Sequence, residues 1–296
     1  MTADTTMTLM DWKQQGEYFQ YQQHRVFFRD SKSQSNEVLV LIHGFPTSSW
    51  DWYAVWPELA KYYRLITLDL LGYGWSDKPS RHDYSILEQA DIVEALLAEL
   101  SIKKARIVAH DYGDTVTQEL MARRQHNEQT HTFDITSVVL TNGGLFPEVH
   151  RPRFIQKLLA SPLGWLVTRL QNRRQFGKSF APIFGPNTQP SEQELDEFWS
   201  LIHYNGGAYR FNKLICYLKE RVMYRERWVG ALVAPPYPVR FINGLVDPIS
   251  GEHMVERYCE LVEKPDVVKL PEIGHYPQVE APEQVLNAIL QFHGIT

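Results

Sequence analysis

The chain has 296 residues, 44% of them hydrophobic and 22% charged, with a formal net charge of -5. An apolar fraction of this size excludes intrinsic disorder, and mild acidity with scattered basic residues argues against phosphate-driven binding of nucleic acid. Cys216 and Cys259 lie far apart and outside any CxxC spacing, so neither a disulfide scaffold nor a cysteine-rich zinc site is expected. The start, MTADTTMTLMDWKQQGEYF, lacks the basic end and apolar run of a signal peptide. No stretch approaches the roughly 18 consecutive apolar residues of a membrane span. The expectation is a cytoplasmic enzyme, a monomer or small homo-oligomer, with no membrane span and no nucleic-acid partner.

Residues 17–30, EYFQYQQHRVFFRD, alternate aromatic and polar positions and predict an antiparallel hairpin. EVLVLI at 37–42 is a continuous run that stops at His43-Gly44, the pattern of a strand buried on both faces. RLITLD at 64–69 is a second such run and breaks at GYGWSDKPS. Apolar residues at 86, 90, 93, 97 and 100 predict a helix over 85–100. ARIVA at 105–109 is a third buried strand, residues 114–124 are helix-like, and ITSVVL at 135–140 is a fourth strand ending at Asn142-Gly143-Gly144. Strands alternating with helices at this spacing imply βαβ units and a mostly parallel sheet. The rhythm breaks near Pro147. From there to about Ala234 the chain is helical in character and rich in Arg, Phe, Trp and Tyr, after which PVRFING and DVVKL restore the strand pattern. The expected division is a core in two segments, 1–146 and 235–296, interrupted by a helical cap at 147–234. Such a cap closes an apolar pocket over one edge of the sheet.

The strand ends carry the chemistry. ARIVA runs into His110-Asp111-Tyr112-Gly113-Asp114 and then a helix, with small residues, Ala109 and Gly113, two positions either side of Asp111. A strand, a sharp turn and a helix with small flanks form a nucleophile elbow, which usually presents Ser or Cys. Here it presents a carboxylate. A carboxylate needs no general base to act as a nucleophile, and it suits attack on saturated carbon with a halide or alkoxide leaving. The resulting alkyl ester on Asp111 must then be hydrolysed by an activated water. Taken alone, Asp111 has a bland reading as an acid at a helix N-terminus, the role that fits Asp114 well. Its partners decide the matter. Asp247 follows the strand in VRFINGLVDP, and His275 follows the next one in VVKLPEIGHYPQVEAPEQV. Asp111, Asp247 and His275 stand in the nucleophile–acid–histidine order of the α/β-hydrolase fold. His275 is read as the base and Asp247 as the group that holds its tautomer. In His43-Gly44-Phe45-Pro46 the turn after the first buried strand supplies half an oxyanion hole, so the backbone N–H groups of Phe45 and Tyr112 are expected to meet one oxygen of the Asp111 ester. Gly72-Tyr73-Gly74 lacks the third glycine and the Lys-Ser/Thr pair of a phosphate loop and reads as a plain turn.

HGFPTSSWDW, DLLGYGWSDKP, AHDYGD, NGLVDP and GHYPQVEAPEQV, in this order, resemble the α/β-hydrolase superfamily over nearly the whole chain. An Asp in the elbow resembles its epoxide hydrolase and haloalkane dehalogenase branches, and HGFPTSSWDW with HDYGDTVTQEL is most similar to the mesoderm-specific transcript family of hydrolase-like proteins. The resemblance implies an α/β fold with a mostly parallel sheet, an inserted helical cap, and hydrolysis with no cofactor and no metal. Dehalogenases of this branch hold halide with a Trp after the nucleophile and often an Asn in the HG-x-P turn; Tyr112 and Phe45 stand there instead. Epoxide hydrolases place two cap tyrosines against the opening oxygen. Tyr217 matches the second, while no Tyr occurs between Gly144 and Tyr204, which leaves Tyr204 or Tyr209 for the first. Asp114 replaces a glycine often found after the elbow and is expected to raise the pKa of Asp111 by like-charge repulsion.

Trp165, Phe176, Phe180, Phe184, Phe198 and Trp199 are read as the cap's own core, and Arg221, Arg225 and Arg227 as a solvated helical face. The favoured reading is an epoxide hydrolase on a small to medium apolar molecule, with Tyr217 donating to the leaving alkoxide. The alternatives are a haloalkane or haloacid dehalogenase, or another α/β hydrolase, and a low-turnover binding or interaction module on the same fold.

Overall fold

The computed structural model describes residues 7–126 and 132–295. The expected hairpin forms as β1 (Glu17–Tyr21) and β2 (His24–Asp30), paired antiparallel from Glu17 opposite Phe28 to Tyr21 opposite His24. The apolar runs become β3 (Val38–Ile42), β4 (Arg64–Leu68), β5 (Lys104–His110), β6 (Asp134–Thr141), β7 (Val239–Gly244) and β8 (Asp266–Leu270). They make an eight-stranded sheet in the order β1-β2-β4-β3-β5-β6-β7-β8. The contacts of β2 are antiparallel, and every pairing from β4 to β8 is parallel. β5 lies inside the sheet between β3 and β6, so Ile107, Val108 and Ala109 are fully buried, as a continuous apolar run demands.

Helices cover the faces. α1 (Ile86–Glu99) is started by Ser85, whose side chain accepts from the Glu88 N–H, and α2 (Tyr112–Gln125) follows β5 directly. Between β6 and β7 the chain forms helices only: α3 (Phe154–Leu159), α4 (Gly164–Leu170), α5 (Arg173–Phe180), α6 (Glu192–His203), α7 (Phe211–Leu214), α8 (Tyr217–Met223) and α9 (Arg225–Val233), joined by short 3-10 turns. α10 (Glu252–Leu261) and α11 (Pro282–Phe292) complete the α/β pattern. Among the described residues no helix is long and apolar enough to cross a membrane.

Polar bonds tie the helical segment to the sheet layer. The Trp50 indole donates to Glu197 at 3.1 Å, and the Glu220 carboxylate accepts the Ile86 N–H at the start of α1. α9 packs on α2 through Glu119, a buried carboxylate that takes bonds from Arg123, Arg227 and the Trp228 indole. The expected aromatic core of this segment is found for Phe176, Phe180, Phe184 and Phe198, all buried and in ring contact with one another or with Tyr276. Trp199 is half-buried against Phe176 and His203. Trp165 departs from the expectation: it is 49% exposed, with Arg169 lying over its ring.

Candidate active site

β5 delivers Asp111 at its carboxyl end with φ 46° and ψ -101°, a backbone state costly for a residue with a side chain. The turn is held from below. A Cβ on Gly113 would run into the Ile42 carbonyl oxygen and lie 2.8 Å from that of His43, so only glycine lets α2 start this close to β3. The strain projects the Asp111 carboxylate above the sheet edge in a water-poor setting.

Around it stand the two other strand-end residues. Asp111 Oδ2 accepts the Phe45 N–H at 3.2 Å and lies 3.9 Å from His275 Nε2. His275 Nδ1 donates to Asp247 Oδ2 at 2.7 Å. Asp247 is fixed in turn by the Asn142 amide at 2.9 Å, the Ser250 hydroxyl at 2.8 Å and the Ile249 N–H at 2.8 Å. Residues from the ends of β3, β5, β6, β7 and β8 thus converge on one point. The Tyr112 N–H makes no hydrogen bond to Asp111 Oδ2 among the described residues; its buried ring packs between Tyr73 and Tyr217.

Electrostatics divides the charges sharply. Burial opposes ionisation of Asp111, but His275 and Arg221 outweigh it and hold the carboxyl below its ordinary range. Burial likewise opposes charge on His275, and the Asp247 and Asp111 carboxylates overcome it and lift the imidazole to about 10. Asp114 goes the other way: burial, then the charge on Asp111, pushes it well above the ordinary value. The expectation that Asp114 would raise Asp111 is therefore corrected. Asp111 has two cationic neighbours, whereas Asp114 Oδ2 has no hydrogen-bond partner, so Asp114 is the acid that stays protonated.

Arg221 corrects a second expectation. Rather than facing solvent, it is 2% exposed. Its Nε donates to Thr115 Oγ1 at 2.8 Å, and its Nη2 reaches the Asp111 carbonyl oxygen at 3.2 Å and Oδ1 at 3.3 Å. Arg225 does pair at the surface with Glu148 and Glu226, and Arg227 pairs with Glu119. The missed signal is the spacing of Tyr217 and Arg221, four apart and so on one face of α8. Tyr217 is buried over the elbow, its ring 5.0 Å from Tyr112 and 5.9 Å from Phe45, and its hydroxyl lies against the Gln156 side chain without a tight hydrogen bond. Burial and the Asp111 charge keep that hydroxyl protonated. Neither proposed companion is near: Tyr209 is exposed, and Tyr204 lies by Lys13 and Lys78. His150 comes closer. Both its ring nitrogens are buried and unpartnered, and burial, then the Arg221 charge, holds it neutral down to about 3. Nothing in the spacing of His150 marked it in the sequence.

A narrow cavity of about 70 Å³ opens onto His275 beneath the helices, lined by Phe45, Phe176, Phe180, Ile183 and Phe211 on its apolar side. Phe176 and Phe180 therefore serve both as core and as cavity wall.

With a parallel sheet, an elbow after β5 and the acid and histidine after β7 and β8, the class is that of the α/β hydrolases. The chain belongs to the family described as alpha/beta hydrolase fold, whose model matches residues 37–282. It is 45% identical over 293 residues to the human (Homo sapiens) mesoderm-specific transcript homolog protein, covering 96% of this chain and 87% of that one. It is 40% identical over 286 residues to a Mycobacterium tuberculosis protein carrying the hydrolase name LipZ, covering 97% and 98%. In three dimensions it matches the haloalkane dehalogenase DbeA of Bradyrhizobium elkani, with a TM-score of 0.77 at 22% identity over 94% of this chain and 97% of that one. The epoxide hydrolase CorEH matches with a TM-score of 0.74 at 20% identity over 94% and 98%. At such identities these two likenesses speak for the fold alone.

Proposed function

We propose that the protein is a cofactor-independent hydrolase that forms an alkyl ester on Asp111 and releases it with water activated by His275, acting on an epoxide of a small molecule. The observation that carries this reading is the residue at the elbow: a buried, ionised carboxylate where a hydroxyl would serve acyl transfer. Asp111 Oδ2 already holds the Phe45 N–H, so it becomes the ester carbonyl oxygen, and Oδ1 attacks carbon. The epoxide C–O bond breaks, and its electron pair stays on oxygen. Tyr217 gives that oxygen its proton, and the resting imidazolium of His275 is the reserve that restores it. Esterification removes the Asp111 charge that helps lift His275, so the imidazole becomes a competent base only once the ester exists. Water, giving one proton to His275, attacks the ester carbonyl carbon; the acyl C–O bond breaks, the alkoxide leaves with the second proton, and Asp111 is restored as a carboxylate that carries the water oxygen.

An epoxide is favoured over a haloalkane because Tyr217 sets a buried O–H, kept protonated by burial and the Asp111 charge, beside Asp111. A departing halide needs no proton. We read residues 147–234 as the cap over this site, with α8 contributing Tyr217. The test compares wild type with Asp111→Ala and His275→Gln on epoxide and haloalkane panels by intact-protein mass. An alkyl adduct is expected to accumulate in His275→Gln and to be absent in Asp111→Ala; no adduct from any compound would sink the covalent reading.

A further inference from the structure

The guanidinium of Arg221 is only half used. Its Nε and Nη2 are engaged by Thr115 and Asp111, while its Nη1, buried with the rest of the side chain, has no hydrogen-bond partner among the described residues. His150 presents two more unpartnered ring nitrogens close by. These groups converge on Gly144: a Cβ there would collide with Arg221 Nη1 and lie 2.7 Å from His150 Nδ1. A buried guanidinium donor left without an acceptor is costly in a finished core, and the neutral His150 ring adds one N–H beside it, so the two together can serve an acceptor next to Asp111.

Charge says which acceptor. The cavity wall carries Arg153 and His275 but no Asp or Glu, although the protein as a whole is acidic. Arg153 forms no ion pair among the described residues. The cavity ends on His275, whose Nε2 lies 3.9 Å from Asp111 Oδ2, and Arg221 pairs with the other oxygen of that carboxylate from behind. Esterification of Asp111 also strips Arg221 of its carboxylate partner, and a buried guanidinium without a counter-charge is strongly unfavourable. A substrate that brings its own carboxylate removes that penalty. It also fixes the reacting atom, because a carboxylate on Nη1 leaves the adjacent carbon facing Oδ1 of Asp111, which Nη2 of the same planar fork holds.

We infer that Arg221, with His150, forms an anion subsite and that the substrate is a small carboxylic acid whose electrophilic carbon adjoins the carboxylate, a 2,3-epoxy acid being the simplest case. This rests on the Asp111 hydrolase reading. For the smallest such acid, oxirane-2-carboxylate, Oδ1 bonds to C2 and the C2–O bond breaks. The oxygen keeps the electron pair and takes the Tyr217 proton, and water attack on the ester carbonyl carbon releases 2,3-dihydroxypropanoate. The cavity of about 70 Å³ that ends on His275, well below the several hundred of most ligand pockets, gives a small molecule a way toward Asp111, while Arg221 and His150 lie outside its wall.

The test uses an unreactive isosteric pair, cyclopropanecarboxylate and cyclopropanecarboxamide, titrated by NMR into the wild-type protein at pH 7. The acid is expected to bind at least about tenfold tighter than the amide, as a buried charge-assisted pair should. Arg221→Gln should erase the preference and Arg221→Lys should keep part of it. Equal binding of acid and amide by wild type overturns the inference even if the Arg221 variants do not fold. A preference that survives in folded Arg221→Gln overturns it too, since Arg153 alone would then account for it. Adduct formation by oxirane-2-carboxamide in His275→Gln, read by mass, tests the hydrolase step independently. Adducts without acid preference leave the hydrolase and remove the subsite; acid preference with no adduct from any epoxide or haloalkane does the reverse.

Discussion

In the mechanism we propose, Tyr217 and His275 share the supply of protons. Replacing Tyr217 by Phe removes a hydroxyl that lies against the Gln156 side chain without a tight hydrogen bond, so the fold should tolerate it. The expected result is a fall in kcat of about a hundredfold on an epoxide, the usual scale for losing a positioned acid. Turnover of a haloalkane by the same variant should be unchanged, and steady-state kinetics on the two substrates reads the difference. The pH profile reports on His275. Asp111 stays ionised because its carboxyl is held below the ordinary 3.8, so kcat/KM should not fall in mild acid. The proton on His275 is lost near 10, so kcat/KM for an epoxide should drop as pH rises through that value.

Among the elements, the β5–α2 elbow and the α2–α9 contact are the joints on which the site depends. Gly113→Ala would drive a methyl into the carbonyl oxygens of Ile42 and His43. A loss of about 2–3 kcal/mol is expected, with activity reduced further because Asp111 moves with the turn. Urea unfolding with parallel adduct assays checks both parts. Glu119→Ala leaves Arg123, Arg227 and the Trp228 indole without their shared acceptor. Breaking such a buried pair costs about 3 kcal/mol, or roughly 5 °C in Tm for a chain of this size. Calorimetry of the variant beside wild type provides the measurement, and an unchanged Tm would show that α9 is held to α2 by apolar packing alone.

For the molecule as a whole, the buried charge cluster links stability to pH. His275 is raised from an ordinary 6.5 to about 10. Its contribution is fully present below 6.5 and is lost as pH rises through 10. Asp111 and Asp247 are both lowered, so their contribution is present above the ordinary 3.8 and is lost as pH falls through their lowered values. The urea midpoint of wild type should therefore decline between pH 6.5 and 10 more steeply than that of His275→Gln. Parallel slopes would mean that other groups govern the alkaline side.

The amino-acid order alone determined the sheet and the positions of Asp111, Asp247 and His275. Runs such as VLVLI and RIVA can be satisfied only by burial on both faces of a parallel strand, and the chemistry of this fold sits where such strands end. Asn142 was visible only as the residue after β6, because its bond to Asp247 crosses 105 positions of chain. Arg221 and His150 were decided by tertiary packing. A guanidinium on a short helix faces water or a buried carboxylate according to what that helix lies against, and α8 lies against the elbow. Local periodicity records which residues avoid water. It does not record which buried charges meet.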